Sequence, residues 1–177
     1  MDDAPPVVVK VGGSLLDWPE LGPRLREYLG TLRGRGSKIV LIVGGGEVVD
    51  AVRALDRLHR LGDDAAHRLA LRGMDLTAHA LAALLDGVPV REAPELSAAD
   101  WGAGDVVILA PRTFLEEIDG RSASPLPASW DVTSDSIAAR VAAHLGASRL
   151  ILLKSADVRA TTRGEAARLG LVDPYFP

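Results

Sequence analysis

Val7-Val8-Val9-Lys10-Val11-Gly12-Gly13-Ser14 decides the fold, because the same design returns at Lys38-Ile39-Val40-Leu41-Ile42-Val43-Gly44-Gly45-Gly46. Each stretch is a short apolar run, largely β-branched, that stops at consecutive glycines. A strand with no polar side is covered on both faces, which is the mark of a parallel sheet between helices. Two further runs of this kind follow at 105–110, stopped by Pro111, and at 149–154. Helical spacing fills the intervals. Leu21, Leu25, Tyr28, Leu29 and Leu32 form one stripe, with Pro19 in the first turn. Val48, Val49, Val52, Leu55 and Leu58 are expected to face inward from a second helix. A long helix over 65–85, capped by Asp63 and notched at Gly73, comes next. Helices over 133–146 and 162–169 close the pattern. A short strand at 88–90, a loop with a brief helix at 93–104 and a surface loop at 119–129 complete it. The alternation predicts an α/β chain, a three-layer α/β/α sandwich with a mostly parallel central sheet. Ligands of such sheets bind beyond the carboxyl ends of the strands, where both glycine runs fall.

The chain has 177 residues and a formal net charge of -4, with 47% hydrophobic and 25% charged residues. It suits one domain, 1–177, able to bury a core. The acidic balance argues against nucleic acid as a partner. There is no cysteine, hence no disulfide or thiolate metal site, and no metal-ligating cluster of histidines. No run approaches the roughly 18 apolar residues of a membrane span, and the acidic start lacks a signal-peptide core, so the expectation is a cytoplasmic protein. Only three residues are lysine, Lys10, Lys38 and Lys154, against 17 arginines. Two of those three end strands beside motif residues, where a compact point charge suits a phosphate.

Lys10-Val11-Gly12-Gly13-Ser14 places bare main-chain amides and a hydroxyl where a strand hands over to a helix. Glycine lets amides approach an anion, and Lys10 could neutralise a transferring phosphoryl group. A plain Gly-Gly turn is the alternative, weakened by the recurrence at Gly44, Gly45 and Gly46. Neither G-x-G-x-x-G nor G-x-x-x-x-G-K-[ST] is present, which disfavours dinucleotide-binding and Walker-type folds. Trp130-Asp131-Val132-Thr133-Ser134-Asp135-Ser136 opens a helix. Thr133 or Ser134 would cap it, and Asp135 could orient a lysine or hold magnesium through water. Lys154-Ser155-Ala156-Asp157 either lines a nucleotide site or is a polar turn. His67, flanked by Arg53, Arg57, Arg60, Arg68 and Arg72, marks a solvated face or an anion-receiving one.

Together, Val-Lys-Val-Gly-Gly-Ser at 9–14, Gly-Gly-Gly at 44–46, Asp-Val-Thr-Ser-Asp-Ser at 131–136 and Leu-Leu-Lys-Ser-Ala-Asp at 152–157 resemble the amino acid kinase superfamily. That group includes acetylglutamate, aspartate and uridylate kinases. Asp64–Ala70 with Met74-Asp75, and Pro127–Ser136, are similar to its short methanofuran-biosynthesis members in methanogens and methylotrophs, which phosphorylate an aminomethylfuran-methyl phosphate. The resemblance implies a kinase using ATP and Mg2+. Lys10 and Asp135 would be catalytic, the aspartate holding the lysine or lysines. Gly12, Gly13, Ser14, Lys154, Ser155 and Asp157 would lie on the nucleotide side. Gly44, Gly45, Gly46, Arg53, His67 and Asp131 would meet a small anionic acceptor. It also implies a homodimer and a reduced nucleotide-binding part from about residue 147. No lysine follows Lys154, so a second catalytic charge falls to Lys154, Arg159 or Arg163. An acceptor that is already anionic needs no general base. The competing readings are a carboxylate kinase of the acetylglutamate or aspartate type, and a nucleotide-binding domain without turnover.

Overall fold

The computed structural model describes residues 5–92, 102–157 and 160–176. Five strands form one sheet: β1 (Val7–Val11), β2 (Ile39–Val43), β3 (Val90–Arg91), β4 (Val106–Leu109) and β5 (Arg149–Leu153). Their spatial order is β3-β4-β2-β1-β5, and every pairing is parallel. The helices are α1 (Leu21–Arg33), α2 (Gly46–His59), α3 (Asp63–Leu84), α4 (Pro111–Thr113), α5 (Ser134–His144) and α6 (Arg163–Arg168). The expected α/β sandwich is thus the observed one. Among the described residues no helix is long and apolar enough to cross a membrane.

Strand alternation sorts the core into two layers. Val7, Val9 and Val11 of β1, with Ile39, Leu41 and Val43 of β2, pack on Leu21, Leu25, Leu29 and Leu32 of α1 and on Leu81 of α3. Val8, Val40 and Ile42 point the other way, to Phe114 and to Ile137, Ala138 and Val141 of α5. Lys10 shares the parity of Val8, so the sheet delivers its side chain to the α5 side. Register then aligns the ends: Val11 lies beside Val43 on one flank and beside Leu153 on the other. Both glycine runs and Lys154 therefore emerge at one edge.

Several local expectations change. The first helix is preceded by a 3-10 turn, Gly13–Asp17, and α1 begins only at Leu21, so Pro19 stands outside it. Asp63 is the first residue of α3 rather than its cap, which is Gly62. Gly73 does not notch α3. A methyl there would lie 3.1 Å from Val49 and 3.2 Å from Val48, so the glycine admits close packing of α2. Leu55 and Leu58 are not inward; they are 48% and 73% exposed, because α2 lies at the rim and only its Val48, Val49 and Val52 side packs. Pro111 does not merely stop β4 but starts α4, which runs into a π-helical turn at Phe114–Ile118. The stretch 119–129 is anchored, since buried Asp119 accepts from the Leu126 amide at 2.7 Å and pairs with Arg140 of α5 at 3.2 Å. Most of the loop expected at 93–104 lies outside the described residues.

Gly30, inside α1, faces open space. Gly30→Ala is expected to raise stability by about 0.5–1 kcal/mol, read as a higher denaturant midpoint with unchanged slope.

Candidate active site

The centre is a carboxylate held between two ammonium groups. Asp135, in the first turn of α5, is 4% exposed, and Lys10, near the end of β1, is 5% exposed. Lys10 Nζ lies 2.8 Å from Asp135 Oδ1 as a close ion pair, without the geometry of an aligned hydrogen bond. Lys154 Nζ, just past β5, donates to Oδ2 at 2.5 Å. Burial pushes the pKa of Lys10 down, Asp135 opposes that shift, and the charge on Lys154 adds to it. Two ammonium groups on one carboxylate leave the trio with net positive charge. Such a site favours an anion arriving from solvent.

The glycine runs meet each other. A methyl on Gly13 would stand 2.3 Å from the Gly46 nitrogen, and one on Gly44 would stand 2.7 Å from the Gly13 nitrogen. Gly46 has φ +50, in the left-handed region. Ligand approach is one reason for these glycines. Their mutual contact is an additional reason for them, invisible until the strands are in register. Ser14 and Ser155 hydroxyls hydrogen-bond at 2.9 Å across the β1 and β5 ends, and the Gly12 amide donates to Leu153 O at 2.9 Å.

Beside the glycines opens a cavity of about 260 Å³. Gly13, Ser14 and Gly44–Gly46 form one wall; Val49, Leu71, Met74 and Ile137 are apolar; Arg53, Asp63, His67 and Trp130 supply the polar side. Trp130 is fixed by α2: its Nε1 donates to Asp56 at 2.8 Å, and the Arg53 guanidinium sits 4.9 Å above its ring. Arg53 also pairs with Asp50 at 3.1 Å. Burial lowers the pKa of His67, with Asp64 opposing, so Arg53 carries the positive charge here at neutral pH. Asp75 is committed to Arg112, at 3.0 Å.

Of the residues singled out from sequence, Lys10, Asp135 and Lys154 converge, as do Gly12, Gly13 and Ser14 with Ser155. Gly44, Gly45, Gly46, Arg53 and His67 share the cavity. Asp131 and Asp157 do not join it: both are exposed, and neither lines the cavity. Arg159 lies outside the described residues. Three groups escaped the sequence reading: the Trp130–Asp56 bond, Asp63 on the cavity wall, and Asp173. The last accepts from the Thr133 amide and hydroxyl, at 3.0 and 2.7 Å, and from the Ser136 amide at 3.0 Å. A carboxylate in a short proline-containing tail carried no signal of that partnership. Among the described residues no group of three or more acidic or histidine side chains is arranged to hold a metal.

The geometry can be set beside known proteins. The chain is 27% identical over 150 residues to the [5-(aminomethyl)furan-3-yl]methyl phosphate kinase of Methanocaldococcus jannaschii, an alignment covering 85% of this chain and 66% of that protein. The chain therefore spans just under two thirds of that relative's length. Its fold is similar to the crystal structures of the UMP kinases of Bacillus anthracis and Ureaplasma parvum. For the first, the TM-score is 0.61 at 14% identity, covering 96% of this chain and 80% of that one. For the second, the TM-score is 0.59 at 16% identity, covering 87% and 70%. The uridylate kinase of Archaeoglobus fulgidus gives 0.57 at 18% identity, covering 89% and 69%. The family model described as the amino acid kinase family matches residues 5–160, and with strands, glycine loops and lysines in this arrangement the chain belongs to that family.

Proposed function

We propose that the protein is an ATP-dependent small-molecule kinase that passes the γ-phosphoryl group to an acceptor already carrying a phosphate monoester, in a C1-carrier pathway of the methanofuran type. One observation carries the reading: two lysines, both largely buried, share the single carboxylate of Asp135 at the sheet edge where two glycine loops meet. Phosphoryl transfer asks mainly for alignment and for positive charge against the equatorial oxygens. Lys10 and Lys154 supply that charge from opposite sides, and Asp135 fixes their spacing. Lys154 thus fills the place of a second catalytic lysine. The Gly12, Gly13 and Ser14 turn, with Ser155, serves the nucleotide phosphates; Gly44–Gly46, Arg53 and His67 serve the acceptor. Asp157 and Asp131 stand further out, at the exposed margins of these two sides. The relative's named substrate, an aminomethylfuran-methyl phosphate, carries a flat ring, a phosphate and an amine. The cavity offers Trp130, Arg53 and Asp63 to those three features.

Both oxygens of Asp135 face lysines, so a magnesium ion arriving with ATP would be held by the nucleotide phosphates and water rather than by this carboxylate. The phosphate monoester attacks as an anion, so no side chain need remove a proton. The reading places the protein in the cytoplasm as a homodimer, which would cover exposed Leu55 and Leu58 of α2 and Leu76 of α3.

The test is ADP release from MgATP with three acceptors: [5-(aminomethyl)furan-3-yl]methyl phosphate, UMP and N-acetylglutamate. Release is expected with the furan phosphate, weakly with UMP, and not with the carboxylate. Preference for N-acetylglutamate would make the protein a carboxylate kinase instead.

A further inference from the structure

Asp173 lies in the segment after α6 and is 7% exposed. Five donors converge on its carboxylate. Oδ2 accepts from the Thr133 amide and hydroxyl and from the Ser136 amide, while Oδ1 accepts from the Ser136 hydroxyl and, at 3.0 Å, the Tyr175 amide. A helix N-terminus leaves its first amides without partners inside the helix, and the Thr133 and Ser136 amides are among them. Thr133 caps α5 from its own chain, accepting from the Asp135 amide at 3.3 Å. The two Asp173 anchors, Thr133 and Ser136, therefore bracket Asp135 on the sequence. Asp173 also acts on Lys10 through its charge. A helix cap alone needs one acceptor; five donors on a buried carboxylate specify where the first turn of α5 sits.

We propose that Asp173 is a positioning residue: from the end of the chain it locks the first turn of α5 so that Asp135 spans Lys10 and Lys154. The proposal rests on reading that trio as the phosphoryl-transfer centre, and its main test does not depend on turnover. Lys10 faces Asp135 from α5, Lys154 from the end of β5, and Asp173 from the tail. Loss of the Asp173 charge disfavours the ammonium form of Lys10, so its titration moves to lower pH. Loss of the anchor lets Asp135 shift, which misaligns the lysines.

The experiment uses the three lysines as reporters. Full-length protein labelled with isotope at lysine Cε gives three resonances by NMR, with Lys38, at the opposite end of β2, as internal control. In Asp173→Asn the Lys10 and Lys154 resonances are expected to move, the Lys10 titration midpoint to fall, and Lys38 to stay. With MgATP and the furan phosphate, kcat is expected to drop by roughly 10²-fold while the ATP KM changes only a few-fold. Should Asp173→Asn fail to fold, Ser136→Ala removes one donor and is expected to move the same two resonances less far. A folded variant with a lower melting temperature but unmoved Lys10 and Lys154 resonances overturns the proposal, since Asp173 would then be a helix cap only. Moved resonances in a protein whose wild type transfers no phosphate would sustain the positioning role and defeat the kinase reading alone.

Discussion

Lys10→Met is expected to lower kcat by roughly 10³-fold while leaving the fold nearly as stable as wild type. The two halves of this expectation have different causes. In the proposed reaction Lys10 would bring a positive charge to the transferring phosphoryl group from a buried site, where an electrostatic contact counts for more than it would in solvent. No other described cation is placed to replace it, since Lys154 is already engaged from the far side of Asp135. Stability follows a separate argument. Removing one partner of a buried pair is usually costly because a charge is stranded. Here Asp135 keeps Lys154 at 2.5 Å, and the trio loses its surplus charge. The methionine fills the same volume without the cost of burying an ammonium.

This difference should depend on pH in a defined direction. The pKa of Lys10 lies below its ordinary 10.5, burial being the main cause. Below the folded value the ammonium is charged in both folded and unfolded chains, and the cost of burying it is fully present. As pH rises through the folded value toward 10.5, the folded chain releases its proton first, and wild type gains stability relative to Lys10→Met. Denaturant midpoints of the two proteins across the alkaline range would show this. A gap that moves the other way would mean that Asp135 outweighs burial.

The second large effect is at Gly13. Gly13→Ala is expected to cost about 3 kcal/mol or more of folding stability, a loss read from denaturant unfolding. The new methyl would meet only backbone: the Gly46 nitrogen at 2.3 Å, the Gly46 Cα at 2.8 Å and the Gly44 carbonyl carbon at 3.0 Å. Backbone at the ends of two hydrogen-bonded parallel strands cannot swing aside as a side-chain tip can. Gly12→Ala is the control. Its methyl would touch only the Leu153 carbonyl oxygen closely, at 3.0 Å, and should cost less. If Gly13→Ala unfolded at the wild-type midpoint, the contact between the two glycine loops would not exist.

The layers and the centre of the site were legible in the sequence for a physical reason. Strands buried on both faces have no polar alternation, and β1, β2 and β4 announced themselves that way; β5 carries the same apolar run, but as the edge strand it is only half-buried. Lysine at the end of such a strand is conspicuous, which is how Lys10 and Lys154 stood out. What stayed hidden depends on contacts between distant parts of the chain. The exposure of Leu55 and Leu58 reflects where α2 sits relative to the sheet rather than its periodicity. The mutual packing of Gly13 with Gly44 and Gly46 requires the register of β1 and β2. Asp173 meets Thr133 from forty positions away. Asp131, expected to meet the acceptor, is left exposed by the turn into α5.

Phosphorus NMR of the wild-type protein with MgATP and [5-(aminomethyl)furan-3-yl]methyl phosphate tests the central claim most directly. The account predicts that the γ-phosphate resonance of ATP decays as ADP and the coupled pair of signals of a new unsymmetrical diphosphate grow together. ATP that binds, seen as a raised melting temperature, yet keeps its γ-phosphate through that incubation would contradict it.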